Sequence, residues 1–517
     1  MTGTWSLLRL VLRRDRVLMP VWITGLALAP VGYLSSIKAA YPDALSRQHF
    51  SDLNASSATF VVRNGPLYGS SPGNLLAWQC GFVPVVAGLI ALLTVVRHTR
   101  AEEEAGRREL TGATVVGRHA GLAAAVIAAC GACAVYGLLV GLAVAAQGVP
   151  AAGAFALGLE FSSVGWVFAG VGAVAAQLTW GAGGARSIGI GVLVLAFLVR
   201  AAGDSSSAGW LAWLSPIGWA HRLRPFAGEQ WWVLALAVVA TGLLVVSAVA
   251  LSARRDLGAA LLPARLGRSA AKASLRSPLA LAWRLQRGTL LVWTVCLGLV
   301  GLLMGGVARN VAEMMRDNKA VAEVFSRMGG GGAATDAYLA GTMTLFGLAA
   351  AGYAVQATLK LRAEEAAGRA EPVLATAVGR VGWALAHLTF ALAGSAFVLA
   401  VTGWATGLTS GVSLVPSALA QLPAVWVLAG LAAALIGFFP RFAAAAWGLL
   451  AAFLLLSLVG SALQWNDVVL GISPFAHLAH LPGGTFSLPP VLGLLLIAAL
   501  AVTAGLAALR RRDMPVG

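Results

Sequence analysis

Twelve stretches of mostly apolar residues divide the chain, and no other feature narrows its fold as far. The first six run near 17–38, 76–96, 119–145, 154–180, 187–201 and 231–252. The second six run near 289–308, 338–359, 381–408, 416–438, 442–462 and 488–509. About 20 such residues suffice for a helix to cross a bilayer. Charged residues are only 11% of the 517, against about 25% in a soluble domain. A water-facing surface for so long a chain cannot be built from so few charges. The expected fold class is an all-α polytopic membrane protein with about 12 transmembrane helices. The pair 416–438 and 442–462 is parted only by Phe439-Pro440-Arg441, which makes it the weakest division. Arg9, Arg13, Arg14 and Arg16 precede the first stretch, as in a signal peptide. That stretch is long and has no small-residue cleavage site after it, so it reads as an uncleaved span.

Positive charge sets direction, because Lys and Arg collect on the cytoplasmic side. With the N-terminus inside, the inner segments hold 26 of the 36 basic residues. Both termini are therefore expected in the cytoplasm. The net charge of +16 would suggest nucleic acid in a soluble protein. Here the charges flank apolar spans, so topology accounts for them and no nucleic-acid partner is expected. Cys80, Cys130, Cys133 and Cys296 all lie in apolar stretches. Cys130 and Cys133 form a CxxC, but no second pair is near to close a tetrahedral metal shell. They read as small packing residues, and no metal site is expected.

The chain also repeats itself. Residues 100–118 read RAEEEAGRRELTGATVVGR and residues 362–380 read RAEEAAGRAEPVLATAVGR, identical at 13 of 19 positions with an offset of 262 and no gap. WVFAG at 166–170 is echoed by WVLAG at 426–430, and Ser215-Pro216 by Ser473-Pro474. Arg13, Arg16 and Trp22 match Arg284, Arg287 and Trp293. The charged segment follows the second span of each set of six, so the halves share one topology and are parallel repeats. The expected organisation is a six-span half at 1–252, a basic cytoplasmic linker at 253–288 and a second six-span half at 289–517. Leu7 to Val17 and Leu279 to Leu290 read as short basic amphipathic helices for the headgroup zone. The outer segments 40–75 and 310–337 are short and polar, suited to small re-entrant helices or lids.

The repeated segment packs Glu102, Glu103, Arg107 and Glu109, and again Glu364, Glu365, Arg369 and Glu371, around a glycine at 106 and 368. A helix leaving the membrane ends at such a glycine, and a second short helix can start beyond it. Topology explains the arginines. It does not explain the acids, which contribute little to orientation. The segment therefore reads as a charged docking surface for a cytoplasmic partner with two equivalent faces.

The pattern R-x-E-E-x-x-G-R-x-E followed by A-T-x-V-G-R, after the second of six spans, resembles ABC-2 type export permeases. Two fused six-span halves with an Ala- and Arg-rich composition look most like actinobacterial exporters of polyketide antibiotics, the tetronasin-resistance-type multidrug permeases. The resemblance implies that this segment holds the coupling helix, docked by two copies of a separate ATPase that carries the ATP and Mg. It implies an exporter of hydrophobic or amphipathic antibiotics in the bacterial plasma membrane, surrounded by lipid. It also implies that the second and fifth spans of each half line the pathway, which puts Trp78, Phe82, Tyr338 and Phe346 there. The chain has no ATP site of its own by sequence: its lysines are Lys38, Lys272, Lys319 and Lys360, and none follows a glycine as a P-loop requires. It is expected to be a permease rather than an enzyme, with no cofactor of its own.

Glu160 lies within an apolar run, where a charge is costly and marks function. It joins the candidate pathway, with an interhelical hydrogen bond as the plain alternative. The alternative function is a secondary drug transporter driven by an ion gradient, which would depend on Glu160. A third reading, a membrane enzyme for lipid-linked substrates, would need clustered acids or histidines outside the membrane.

Overall fold

The computed structural model describes residues 2–513 except 56–57, 113, 207, 256–259, 262–274, 318–330 and 458–465. The chain divides into two compact units, Met1–Gly267 and Arg268–Gly517. Among the described residues every regular element is a helix, and eleven are long and apolar enough to span a membrane. The protein is an all-α multi-pass membrane protein.

In the first unit the long helices are α1 (Leu18–Ala40), α2 (Val83–His98), α3 (Ala120–Ala145), α4 (Ala151–Leu178), α5 (Ala182–Ser205) and α6 (Val233–Ala253). α4 is the most buried of the six and packs against α2, α3 and α6. Small residues make this possible. A Cβ added at Gly137 of α3 would meet the Gly158 carbonyl oxygen at 2.3 Å, and one at Gly158 would meet the Gly137 oxygen at 2.0 Å. With lipid outside, apolar surface alone does not drive helices together, and close backbone approach supplies the packing instead.

In the second unit they are α7 (Pro278–Asp317), α8 (Gly331–Ala366), α9 (Arg380–Ser410), α10 (Leu422–Phe438) and α11 (Leu488–Arg511). α8 is the most buried. α7 lies on α9 through the GxxxG of Gly301 and Gly305. A Cβ at Gly305 would meet the Thr406 carbonyl oxygen at 2.1 Å, and Thr409 donates to the Leu302 carbonyl at 2.8 Å. The stretch expected at 442–462 is represented by Ala445–Leu455, shorter than a span. Residues 458–462 of it lie outside the described residues.

Two expectations change. The stretch 76–96 is broken: Pro72–Gln79 is one helix, and α2 starts only at Val83, with Pro84 in its first turn. Proline is accepted there because the first turn needs no amide donor. The two amphipathic segments also differ. Thr4–Arg14 is a separate helix that ends at Asp15, whereas 279–290 is the start of the continuous α7. The segment 40–75 forms helices Ala44–Ala55, Ala58–Asn64 and the start of Pro72–Gln79.

Candidate functional site

The charged segment begins where α2 ends. After Thr99 a short helix, Arg100–Glu104, runs to Gly106, whose φ of 69° is left-handed. Only glycine takes that conformation without strain, so the chain turns there, and the helix Arg107–Gly112 follows. The turn brings Arg107 back onto Glu102, donating from Nε at 2.8 Å and from Nη2 at 2.7 Å. Glu102 also meets Arg14 at 2.7 Å. Glu103 points inward, its side chain 3% exposed, and is held by three arginines. Arg100 reaches it at 2.6 Å, Arg255 donates to both its oxygens at 3.0 Å, and Arg108 is the third. Glu104 accepts from the Ala182 amide at 2.9 Å, capping the start of α5. Arg118, at the far end of the motif, donates to the Ser252 and Arg255 carbonyls, at the close of α6.

The same arrangement recurs 262 residues on. Gly368 has φ 69° and ends α8. Arg369 donates to Glu364 at 2.8 and 3.1 Å, and Lys360 stands 3.2 Å from the same carboxylate. Glu365, 2% exposed, is held by Arg512 at 2.6 Å and Arg362 at 3.3 Å. Arg380 donates to the Arg510 and Arg512 carbonyls at the close of α11. In both copies, then, the acid pair divides its work. The first acid closes the glycine turn, and the second is locked to the end of the last helix of its own unit. The first lock leaves Arg107 and Glu109 exposed, and the second leaves Arg369 and Glu371 exposed.

The other echoes have a structural content too. Trp166 of α4 donates to the Cys130 carbonyl of α3 at 3.1 Å, and Trp426 of α10 donates to the Leu392 carbonyl of α9 at 3.3 Å. Cys133 is buried in one apolar cluster with Ala169 and Ala173.

The candidate pathway residues fall in both units, and in the first Trp78 and Glu160 line one cavity. Trp78 and Phe82 fall on either side of the break before α2. Trp78 is buried, donates to the Gly65 carbonyl at 3.1 Å and meets Phe50 and Phe60 edge-on. Phe82 is 39% exposed and stands edge-on to Phe197. Glu160 is buried on α4 and lines a cavity of about 20 Å³ with Trp78. In the second unit Tyr338 lines a cavity of about 600 Å³ with Thr342, Leu345, Leu348, Phe475 and His480. Phe346 is buried in the apolar core instead.

Comparison with known proteins decides the family. Residues 275–510 match the family described as the C-terminal domain of the multidrug efflux system permease Rv1217c. The chain is also 43% identical over 525 residues to the multidrug efflux system permease protein Rv1217c of Mycobacterium tuberculosis. That match covers 99% of this chain and 95% of the other. The chain belongs to this family of multidrug efflux permeases.

The permease also uses residues that sequence reasoning took only as topology signals. Arg255 and Arg512 each carry the lock on a buried acid. Arg14 and Asp15 anchor the amphipathic helix, Asp15 through Arg97 at 2.8 Å and His98 at 2.6 Å. A sequence signal existed: each six-span half closes its last apolar run with a basic cluster, Arg254-Arg255 and Arg510 to Arg512. Of the glutamines inside the spans, exposed Gln356 accepts from Trp293 at 2.7 Å and buried Gln177 accepts from Arg255 at 2.8 Å.

Proposed function

We propose that the permease is the membrane part of an ATP-driven exporter of the ABC-2 type, in which two copies of a separate ATPase dock on the two charged turns. The observation that carries this reading is the repeated lock. Each turn keeps its exposed charges, Arg107 and Glu109 or Arg369 and Glu371, while the helix end just before its glycine is tied through a buried acid to the end of the last helix of the unit. A push on the turn would be passed to a span. The 13 identities between the two segments support an internal duplication of a six-span half, and two equivalent docking faces follow from it.

On this reading both turns and both termini face the cytoplasm of a bacterial cell, in line with the distribution of basic residues. ATP and Mg reside on the partner, which performs the hydrolysis; this chain binds no cofactor and no nucleic acid. The cargo is a drug, as the name of the Mycobacterium tuberculosis relative suggests, and the resemblance to antibiotic exporters makes it a hydrophobic or amphipathic one. The cavity at Tyr338, about 600 Å³, falls within the range of about 300–1,000 Å³ common for small-molecule sites.

The test is co-purification of an ABC ATPase with the tagged permease from its native membranes in mild detergent. Charge reversal at Arg107, Glu109, Arg369 and Glu371 should remove the ATPase while the permease keeps its melting temperature. If an intact wild-type permease exports drug with no ATPase bound, the reading fails and an ion-gradient-driven drug transporter takes its place.

A further inference from the structure

A second set of polar groups in the first unit belongs neither to the locks nor to the turns. The Glu160 side chain is 3% exposed on α4. Among the described residues no hydrogen bond reaches its carboxylate. The His221 Nε2 stands 3.8 Å from Oε1, too far for one. That nitrogen lies 3.0 Å from the Gly81 carbonyl oxygen, which can only accept, so Nε2 carries the proton and gives it to Gly81. Burial pushes the imidazole down to about 3, with the Arg200 charge acting the same way, so His221 is neutral and is no counter-charge for Glu160.

The nearby arginines are taken. Arg200 donates to the Val61, Val62 and Arg63 carbonyls and pairs with Asp204. Arg222 pairs with Asp204 as well, at 3.7 Å. Yet Glu160 and His221 share a cavity of about 20 Å³ with Asn64 and Asn74. A water-sized occupant needs roughly 10–15 Å³. Asn64 Oδ1, Asn74 Nδ2 and His221 Nδ1 are buried without partners among the described residues, in side chains more than nine-tenths buried. An ionised carboxylate in such surroundings needs a counter-charge or a proton. Oxygen atoms from Glu160 and Asn64 are the ligand type that alkali cations accept.

We infer that this cavity is a site for one exchangeable positive charge, carried either as a proton on Glu160 or as a single small alkali cation between Glu160 and Asn64. The other titratable groups at hand are Tyr68 and His221, which line it, and Cys80, whose thiol feels the Glu160 charge. Burial pushes the Tyr68 phenol and the Cys80 thiol up and the imidazole down, so all three stay neutral between pH 5.5 and 9 and Glu160 alone changes charge. In the second unit, at the offset of the WVFAG echo, Ala420 takes the place of Glu160. The site does not rest on how the turns are docked, and the ion-gradient-driven alternative would make use of it.

The experiment treats the purified full chain with dicyclohexylcarbodiimide, which adds only to protonated carboxyl groups in apolar surroundings, and locates the adduct by mass spectrometry. If the charge is a proton, labelling of Glu160 falls several-fold from pH 5.5 to pH 9 and ignores sodium. If it is an alkali cation, sodium at fixed pH suppresses the labelling several-fold and choline does not. In either case Glu160→Gln abolishes the adduct and removes the matching pH or sodium dependence of the melting temperature. Labelling that is flat against both pH and sodium overturns the inference. So does a wild-type chain that melts cooperatively yet takes no label at Glu160 at any pH.

Discussion

The two copies of the charged turn share one geometry but hold it with different amounts of charge. In the first copy the buried acid, Glu103, meets Arg100, Arg108 and Arg255, and Glu104 caps α5. In the second copy Ala366 and Ala370 replace Glu104 and Arg108, and Glu365 meets only Arg362 and Arg512 among the described residues. The amphipathic segments differ in step. Asp15 ends its helix and pairs with Arg97 and His98, while Gln286, at the matching position, lies inside α7 and donates to His387. Aspartate competes with the helix backbone and favours ends, whereas glutamine is a good helix former. What both copies retain is the minimum that makes the lock: a left-handed glycine, an acid closing the turn, an acid facing inward and an arginine from the last helix. The rest is local reinforcement.

That contrast predicts a crossover. Removing the acid should hurt the first copy more, because Glu103→Ala takes a carboxylate from three arginines and Glu365→Ala from two. Unpairing a buried charge costs about 3–5 kcal/mol; Glu103→Ala should fall at the top of that range and Glu365→Ala at the bottom, read as loss of thermal stability of the full chain in detergent. Removing the distal base should reverse the order. Arg512→Met leaves Glu365 with one arginine at 3.3 Å and should cost roughly 2–3 kcal/mol, while Arg255→Met leaves two and should cost about 1. Equal losses in both experiments would mean that the extra arginines of the first copy contribute nothing.

The smaller effects should be alike in both copies. Gly106→Ala and Gly368→Ala place a Cβ where nothing lies within 4 Å, so only the left-handed backbone resists, at about 1–2 kcal/mol each. A difference of more than a factor of two would show that one turn is less constrained than its φ implies. Smallest of all, Trp166→Phe and Trp426→Phe each lose one indole hydrogen bond, worth about 0.5–1.5 kcal/mol. Limited proteolysis between the long helices would register either change.

Much of this fold is legible in the sequence because lipid demands long apolar runs, and α1 to α11 each lie on one. The 262-residue offset made the paired turns visible, and the glycines at 106 and 368 marked where they bend. The break before α2 was less visible, since Cys80 to Phe82 is as apolar as a helix interior, and Pro84 is equally at home in a first turn. As a result Trp78 and Phe82, which share one apolar run, lie on separate elements. The roles of the acids were half legible. Their recurrence announced a purpose beyond topology, but Glu103 finds Arg255 across 152 positions and Glu365 finds Arg512 across 147. No local pattern reports a partner so distant, and the positive-inside tendency already gave those arginines a sufficient reason to be there. Glu160 was flagged by its cost alone, while Asn64, Asn74 and His221 come to it from separate segments.

The span of those locks also imposes an order on biosynthesis. A ribosome adds about 5–20 residues each second, so Glu103 waits roughly 8–30 s before Arg255 exists to meet it. Until then its carboxylate has only its near neighbours Arg100 and Arg108 for partners. The acid that closes the turn, by contrast, meets its arginine within five positions. Each unit thus shapes its turn early and seals it only when its final helix has been delivered. A nascent unit stalled before that helix would expose an unlatched, charged elbow, a form that a quality-control protease can tell from the finished protein.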